Sequence, residues 1–117
     1  MVKQRKGAGN MEAMNINQAQ FEQMVGSGKT VLVDFWAPWC GYCRRIAPAY
    51  DQIGERYGHT LVVAKVNIDD EPHLAEAEQI EVIPTLVLYR DGKSIGSLVA
   101  PESKAVIDQF IRETLAK

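Results

Sequence analysis

The only two thiols of the chain, Cys40 and Cys43, stand three positions apart in WAPWCGYCRR, residues Trp36 to Arg45. Both tryptophans and an arginine pair share the same stretch. Such a pair can serve as a structural crosslink, as half of a metal site, or as a couple that cycles between dithiol and disulfide. A disulfide needs Cα atoms roughly 4.4–6.8 Å apart, and residues three apart on a helix are near neighbours at about that spacing. The loop closed would be very short, so the bond would constrain the unfolded chain little, and a crosslink explains the pair poorly. A zinc site takes about four ligands. The rest would have to come from His59 and His73, which show no ligand spacing, and there is no second CxxC. The redox reading has a mechanism. If Cys40 falls where a strand turns into a helix, its sulfur faces unpaired N–H groups and the positive end of the helix dipole. Arg44 and Arg45 add positive charge. These effects favour the thiolate, the reactive form. Cys43, one turn deeper, is the natural resolving thiol.

The elements needed to hold that junction are visible in the patterning. Ala13 to Ile16 is a short candidate strand, and Asn17 with Gln20 forms a capping box before a helix with the apolar stripe Phe21, Met24 and Val25. Thr30 to Trp36 is apolar on both faces, as in a doubly covered central strand. From about Cys40 to Tyr57, the residues Ile46, Ala47, Tyr50, Ile53 and Tyr57 recur at helical spacing, with a kink expected at Pro48. Leu61 to Ile68 is the next strand, so strand, helix and strand make a right-handed crossover with parallel strands. Asp70 caps a short helix reaching about Ile80. Thr85 to Arg90, the Asp91-Gly92 turn and Lys93 to Val99 form a hairpin, and Pro101 starts an amphipathic last helix. The sum is a central mixed sheet with helices on both faces. A CxxC at a strand-to-helix junction inside such a unit is a strong redox signal.

Composition agrees with one packed domain: 117 residues, 46% hydrophobic and 24% charged, with no need of a crosslink to fold. The net charge is −2, and without Lys3, Arg5 and Lys6 ten basic residues face 15 acidic ones, a balance of −5. A nucleic-acid footprint would be basic, so none is expected. No apolar run approaches the roughly 20 residues of a membrane helix. Residues 1–12 read as a flexible tail or a cloning remnant, with residues 13–117 the domain. The basic start has no apolar stretch behind it, so it is not a secretory signal. A cytoplasmic setting is the default, and an extracytoplasmic one applies if a leader has been removed. A monomer is expected.

VDFWAPWCGYC, followed in order by IAP, KVNIDDEP, VIPTLVLYRDGK and an amphipathic C-terminal helix, resembles the thioredoxin family from about Met14 to Lys117. The resemblance implies an α/β thioredoxin fold, a mixed sheet of five strands with four helices, and protein dithiol–disulfide exchange. It implies that Asp34 is a buried acid beneath the resolving cysteine; on the residues alone it could equally be a solvated strand acid. Burial would raise its pKa and let it take the Cys43 proton. Lys65 matches a lysine near that acid. Ile83-Pro84-Thr85 matches a cis-proline loop, which would bring the Ile83 backbone beside Cys40 to pair with an extended client segment. Trp39, Ile83 and Ala100 would make an apolar platform around the sulfur, while Trp36 packs. The resemblance thus puts Cys40, Cys43, Asp34 and Lys65 in the chemistry. It puts Trp39, Gly41, Tyr42, Ile83, Pro84 and Ala100 in client binding. No metal or bound cofactor is expected. The partners are disulfide-containing client proteins and a thioredoxin reductase or related donor that draws on NADPH.

Two departures stand out. The family's usual Gly-Pro between the cysteines is here Gly41-Tyr42, a dipeptide seen in some periplasmic disulfide isomerases. Losing the proline frees an N–H near Cys40, and Arg45 adds charge. Both predict a potential above the thioredoxin value of about −270 mV but below about −120 mV. Ala100 stands where the family commonly has glycine, which narrows the client groove and puts the usual donor in question. The leading reading is a disulfide reductase. An oxidase or isomerase outside the cytoplasm, or a non-catalytic partner-binding subunit, would use the same sequence differently.

Overall fold

The structure is a computed structural model that describes residues 13–117, so the expected tail lies outside the described residues. In chain order its elements are β1 (Met14–Asn15), α1 (Gln18–Gly26), β2 (Val31–Trp36), α2 (Gly41–Tyr57) and β3 (Val62–Asn67). They continue with α3 (Pro72–Ala77), β4 (Thr85–Arg90), β5 (Lys93–Val99) and α4 (Lys104–Leu115). One sheet holds all five strands in the order β1-β3-β2-β4-β5. β3 runs parallel to β1 and β2, and β4 runs antiparallel to β2 and β5.

β2 is central because it is apolar on both faces. Val31, Val33 and Phe35 point into one core, formed with Phe21 and Val25 of α1 and Leu74 of α3. Leu32 points into the other, formed with Ile46, Tyr50 and Ile53 of α2 and Ile107 and Ile111 of α4. Alternation along the strand puts Asp34 on the α2–α4 side, in register with Leu86 of β4 and Lys65 of β3. α4 comes close to β5 at Gly96, where a Cβ would meet Thr114 Cγ2 at 3.1 Å.

The capping box at Asn17 and Gln20 is present, with both bonds made. The Asp91-Gly92 turn has φ of 56° and 81°, the two positive values that a tight hairpin turn requires. Helix α2 runs unbroken across Pro48. Three boundaries differ from expectation. α3 starts at Pro72, whose fixed φ suits the first helical position, so Glu71 rather than Asp70 is the capping residue. The Glu71 carboxylate gives no cap bond; it accepts the Gln18 N–H at 3.0 Å instead. The same helix stops at Ala77, not Ile80, because Gln79 turns left-handed at φ 60°. Ile80 N–H then donates to Ala75 O and Gln79 N–H to Glu76 O, closing a Schellman motif. α4 begins at Lys104, not Pro101, because the Ser103 side chain takes the Val106 N–H and so sets the start.

Candidate functional site

The two cysteines sit just past the carboxyl end of β2, where the chain turns into α2. Cys40 is itself the N-cap residue, extended at φ −86° and ψ 109°. Its Sγ accepts the Cys43 N–H at 3.2 Å, so the sulfur occupies the place of a capping oxygen. The backbone donor that reaches this sulfur belongs to Cys43, so the N–H freed by Tyr42 is not the one that holds it. Neither arginine bonds the sulfur. Arg44 donates to the Pro38 carbonyl at 2.6 Å, and the Arg45 guanidinium lies over the Tyr42 ring at 5.8 Å. The groups that face the Cys40 sulfur are therefore the cap N–H and the start of α2 rather than the freed amide or an arginine.

Both cysteines are free thiols, Cys40 with 9% and Cys43 with 2% of its surface exposed. They pack with Ala37 and against Trp36, Tyr42, Ile68 and Ile83. Burial pushes the Cys43 thiol up to about 12, helped by its hydrogen bond with Cys40, and the Ala37 backbone pulls the other way. The Asp34 charge also raises it, which puts that carboxylate within electrostatic reach of the thiol.

Asp34 is 1% exposed, and its Oδ1 has no hydrogen-bond partner among the described residues. Burial raises its pKa from an ordinary 3.8 to about 7; Lys65 opposes the rise and Asp51 adds to it. An acid that titrates near neutrality, within electrostatic reach of a thiol that resists ionisation, has the proton affinity to accept that thiol's proton. Lys65, across from Asp34 in the sheet, places Nζ 4.4 Å over the Trp36 ring. Its ammonium acts on Asp34 through space, without an ion pair among the described residues.

The Ile83–Pro84 bond is cis, and the Ile83 carbonyl oxygen lies 4.0 Å from Cys40 Sγ. Pro84 O accepts the Ala100 N–H at 2.9 Å, which draws the β5–α4 loop to the same side. Trp39 is 66% exposed and adjoins Cys40 in the chain, while Trp36 is half-buried and donates to Asn15 at 2.8 Å. Gly41 opens α2, and a Cβ there would meet only the Arg44 guanidinium, at 3.9 Å. Val82 and Val99 are more than half exposed, each adjoining one of the residues above in the chain.

Three contributors escaped the sequence reading. Asp69 accepts the Trp39 indole N–H at 3.0 Å, and Tyr50 sits beneath the sheet with its hydroxyl 2.6 Å from Ala64 O. Pro101 O accepts the Tyr42 hydroxyl at 3.0 Å. Asp69 lies in an acidic run and Tyr50 in an apolar stripe, so neither carries a local signal of its partner.

A family model described as Thioredoxin matches residues 12–113. Thioredoxin 1 of a Nostoc species is 38% identical over 104 residues, covering 88% of this chain and 97% of that protein. The thioredoxin of Acidithiobacillus ferridurans is 42% identical over 101 residues, covering 86% and 94%. Among solved structures, thioredoxin of Plasmodium falciparum aligns with a TM-score of 0.78 at 33% identity, covering 86% of this chain and 97% of that one. A point mutant of Halobacterium salinarum thioredoxin aligns at 0.79 with 27% identity, covering 93% and 96%. A cysteine cap at the carboxyl end of a central strand, its buried mate and the match over most of the chain lead to one conclusion: this chain belongs to the thioredoxin family and is a thiol–disulfide oxidoreductase.

Proposed function

We propose that the chain reduces disulfides in client proteins, with Cys40 as nucleophile, Cys43 as resolving thiol and Asp34 as the proton acceptor. The observation that carries this is the asymmetry of the pair: the Cys40 sulfur accepts a helix-cap N–H, and the Cys43 thiol lies deeper, 2% exposed, with its pKa pushed up to about 12. The Cys40 thiolate attacks one sulfur of a client disulfide. A mixed disulfide forms, and the first client sulfur leaves as a thiolate. Cys43 then attacks the Cys40 sulfur and passes its proton to Asp34. The 40–43 disulfide forms, and the second client sulfur leaves, so two electrons have moved to the client. Lys65 tunes Asp34 by its charge.

Trp39, Gly41, Tyr42, Ile83, Pro84 and Ala100 line the client surface, where the Ile83 backbone pairs with an extended segment. Cys40 keeps 9% of its surface exposed, beside the exposed Trp39. A cavity of about 620 Å³ lies instead at the far end of β2, lined by Lys29, Thr60 and Leu61, which favours proteins as substrates. The chain works as a monomer in the cytoplasm, with residues 13–117 as its domain, and binds no cofactor, nucleic acid or membrane. A thioredoxin reductase using NADPH restores the dithiol. No helix among the described residues is long and apolar enough to cross a membrane.

The test is reduction of insulin with NADPH and a thioredoxin reductase. The wild type is expected to turn over, Cys40→Ser to lose all activity, and Cys43→Ser to accumulate the mixed disulfide. Full activity in Cys40→Ser would refute the assignment. Equilibration with glutathione sets the direction: a potential near −270 mV supports a reductase, and one near −120 mV an oxidant.

A further inference from the structure

Tyr42 replaces the family's proline with a side chain that reaches across the site. Its hydroxyl donates to Pro101 O at 3.0 Å, joining the first turn of α2 to the β5–α4 loop. The ring is half-buried, packs against both the α2–α4 core and the sulfur cluster, and carries the Arg45 guanidinium above it. The loop it holds has an unusual backbone. Ala100 sits at φ 46°, a left-handed conformation that suits glycine and that an L side chain adopts at a cost. Such a residue persists where its surroundings over-determine it. Two bonds do so here: Ala100 N–H to Pro84 O at 2.9 Å, and Tyr42 hydroxyl to the next residue's carbonyl. A neutral hydrogen bond and the left-handed penalty are of similar size, so one can offset the other.

We propose that Tyr42 is a positioning residue whose hydroxyl ties the Ala100–Pro101 rim to the first turn of α2, while Ala100 N–H ties it to Pro84, so that the two bonds fix the width of the client groove. This rests on the reductase reading above. A rim so fixed favours narrow, extended client segments and makes Tyr42 and Ala100 one coupled unit. A glycine at position 100 would not need the tether.

The experiment compares wild type, Y42F, A100G and the Y42F/A100G double variant. Y42F keeps the ring and removes only the bond. Amide exchange at position 100 is expected to speed up in Y42F and to do so far less in the double variant than the single change predicts. With insulin as client, Y42F is expected to raise KM about two- to tenfold, the size of one neutral hydrogen bond, with kcat changing less. In the A100G background the same change should have little effect on KM. An unchanged exchange rate at Ala100 in Y42F would overturn the proposal whatever the activity. Equal Y42F effects in both backgrounds would overturn the coupling. Loss of insulin reduction by the wild type would instead refute the reductase reading, and the exchange arm would still decide the role of Tyr42.

Discussion

At the scale of single residues, the burial of Asp34 ties stability to pH. Its pKa is about 7 in the fold against an ordinary 3.8. Between those values the native state holds a proton that the unfolded chain has lost. The stability this group contributes is therefore fully present below about pH 4, declines as pH rises, and is gone above about pH 7. The drop is on the order of 4 kcal/mol. Asp34→Asn cannot ionise, so it should be more stable than wild type at pH 8, with the gain shrinking toward pH 4. Urea unfolding midpoints from pH 4 to 9 check this, and parallel curves for the two proteins would contradict it. With Asp34 as the proposed acceptor of the Cys43 proton, the same substitution should slow resolution of the mixed disulfide by up to about 10²-fold. Stopped-flow release of reduced client measures that step.

At the scale of elements, the fold depends on how helices begin and end. Asn17 accepts the Gln20 N–H at 2.8 Å and the Gln20 side chain accepts the Asn17 N–H at 2.9 Å, so α1 starts with two donors satisfied. Asn17→Ala should cost about 1 kcal/mol, read as a lowered thermal midpoint, with insulin reduction retained because α1 lies on the sheet face away from α2. At Cys40 the capping position is given over to chemistry: the group that takes the Cys43 N–H is a sulfur. At Ala100 the loop is held in a left-handed turn, and Ala100→Gly should raise stability by up to about 1 kcal/mol. The gain is limited because glycine also frees the unfolded chain.

At the scale of the whole molecule, one sheet separates two cores, and β2 contributes to both. Val25 belongs to the first and Ile111 to the second. Residues on opposite faces share no packing partners, so Val25→Ala and Ile111→Val should cost about 0.5–2 kcal/mol each and add to within about 0.5 kcal/mol. A double-mutant cycle on denaturant unfolding tests this; a larger coupling would mean that the sheet transmits strain between its faces. The site lies where both layers meet the carboxyl ends of β2 and β3, with Ile68 packing against one core and Tyr42 against the other.

Strand and helix order, the two hairpin strands, the capping box and the CxxC at a strand-to-helix junction were all legible in the residues. Each rests on local periodicity or on contacts within a few positions, which the chain carries in one dimension. The candidate site was legible in part: the cysteines by spacing, and Asp34, Pro84 and Ala100 only through family resemblance. The helix starts near Asp70 and Pro101 were misjudged because a proline and a serine close by competed for the same cap. Only the tertiary structure decided that Asp69 meets Trp39, that Asp34 loses its solvent, and that Tyr42 spans to Pro101. Those pairs are separated by 30 or more positions, or depend on what covers a face, and no local pattern encodes either; they exist once packing brings distant segments together and excludes water.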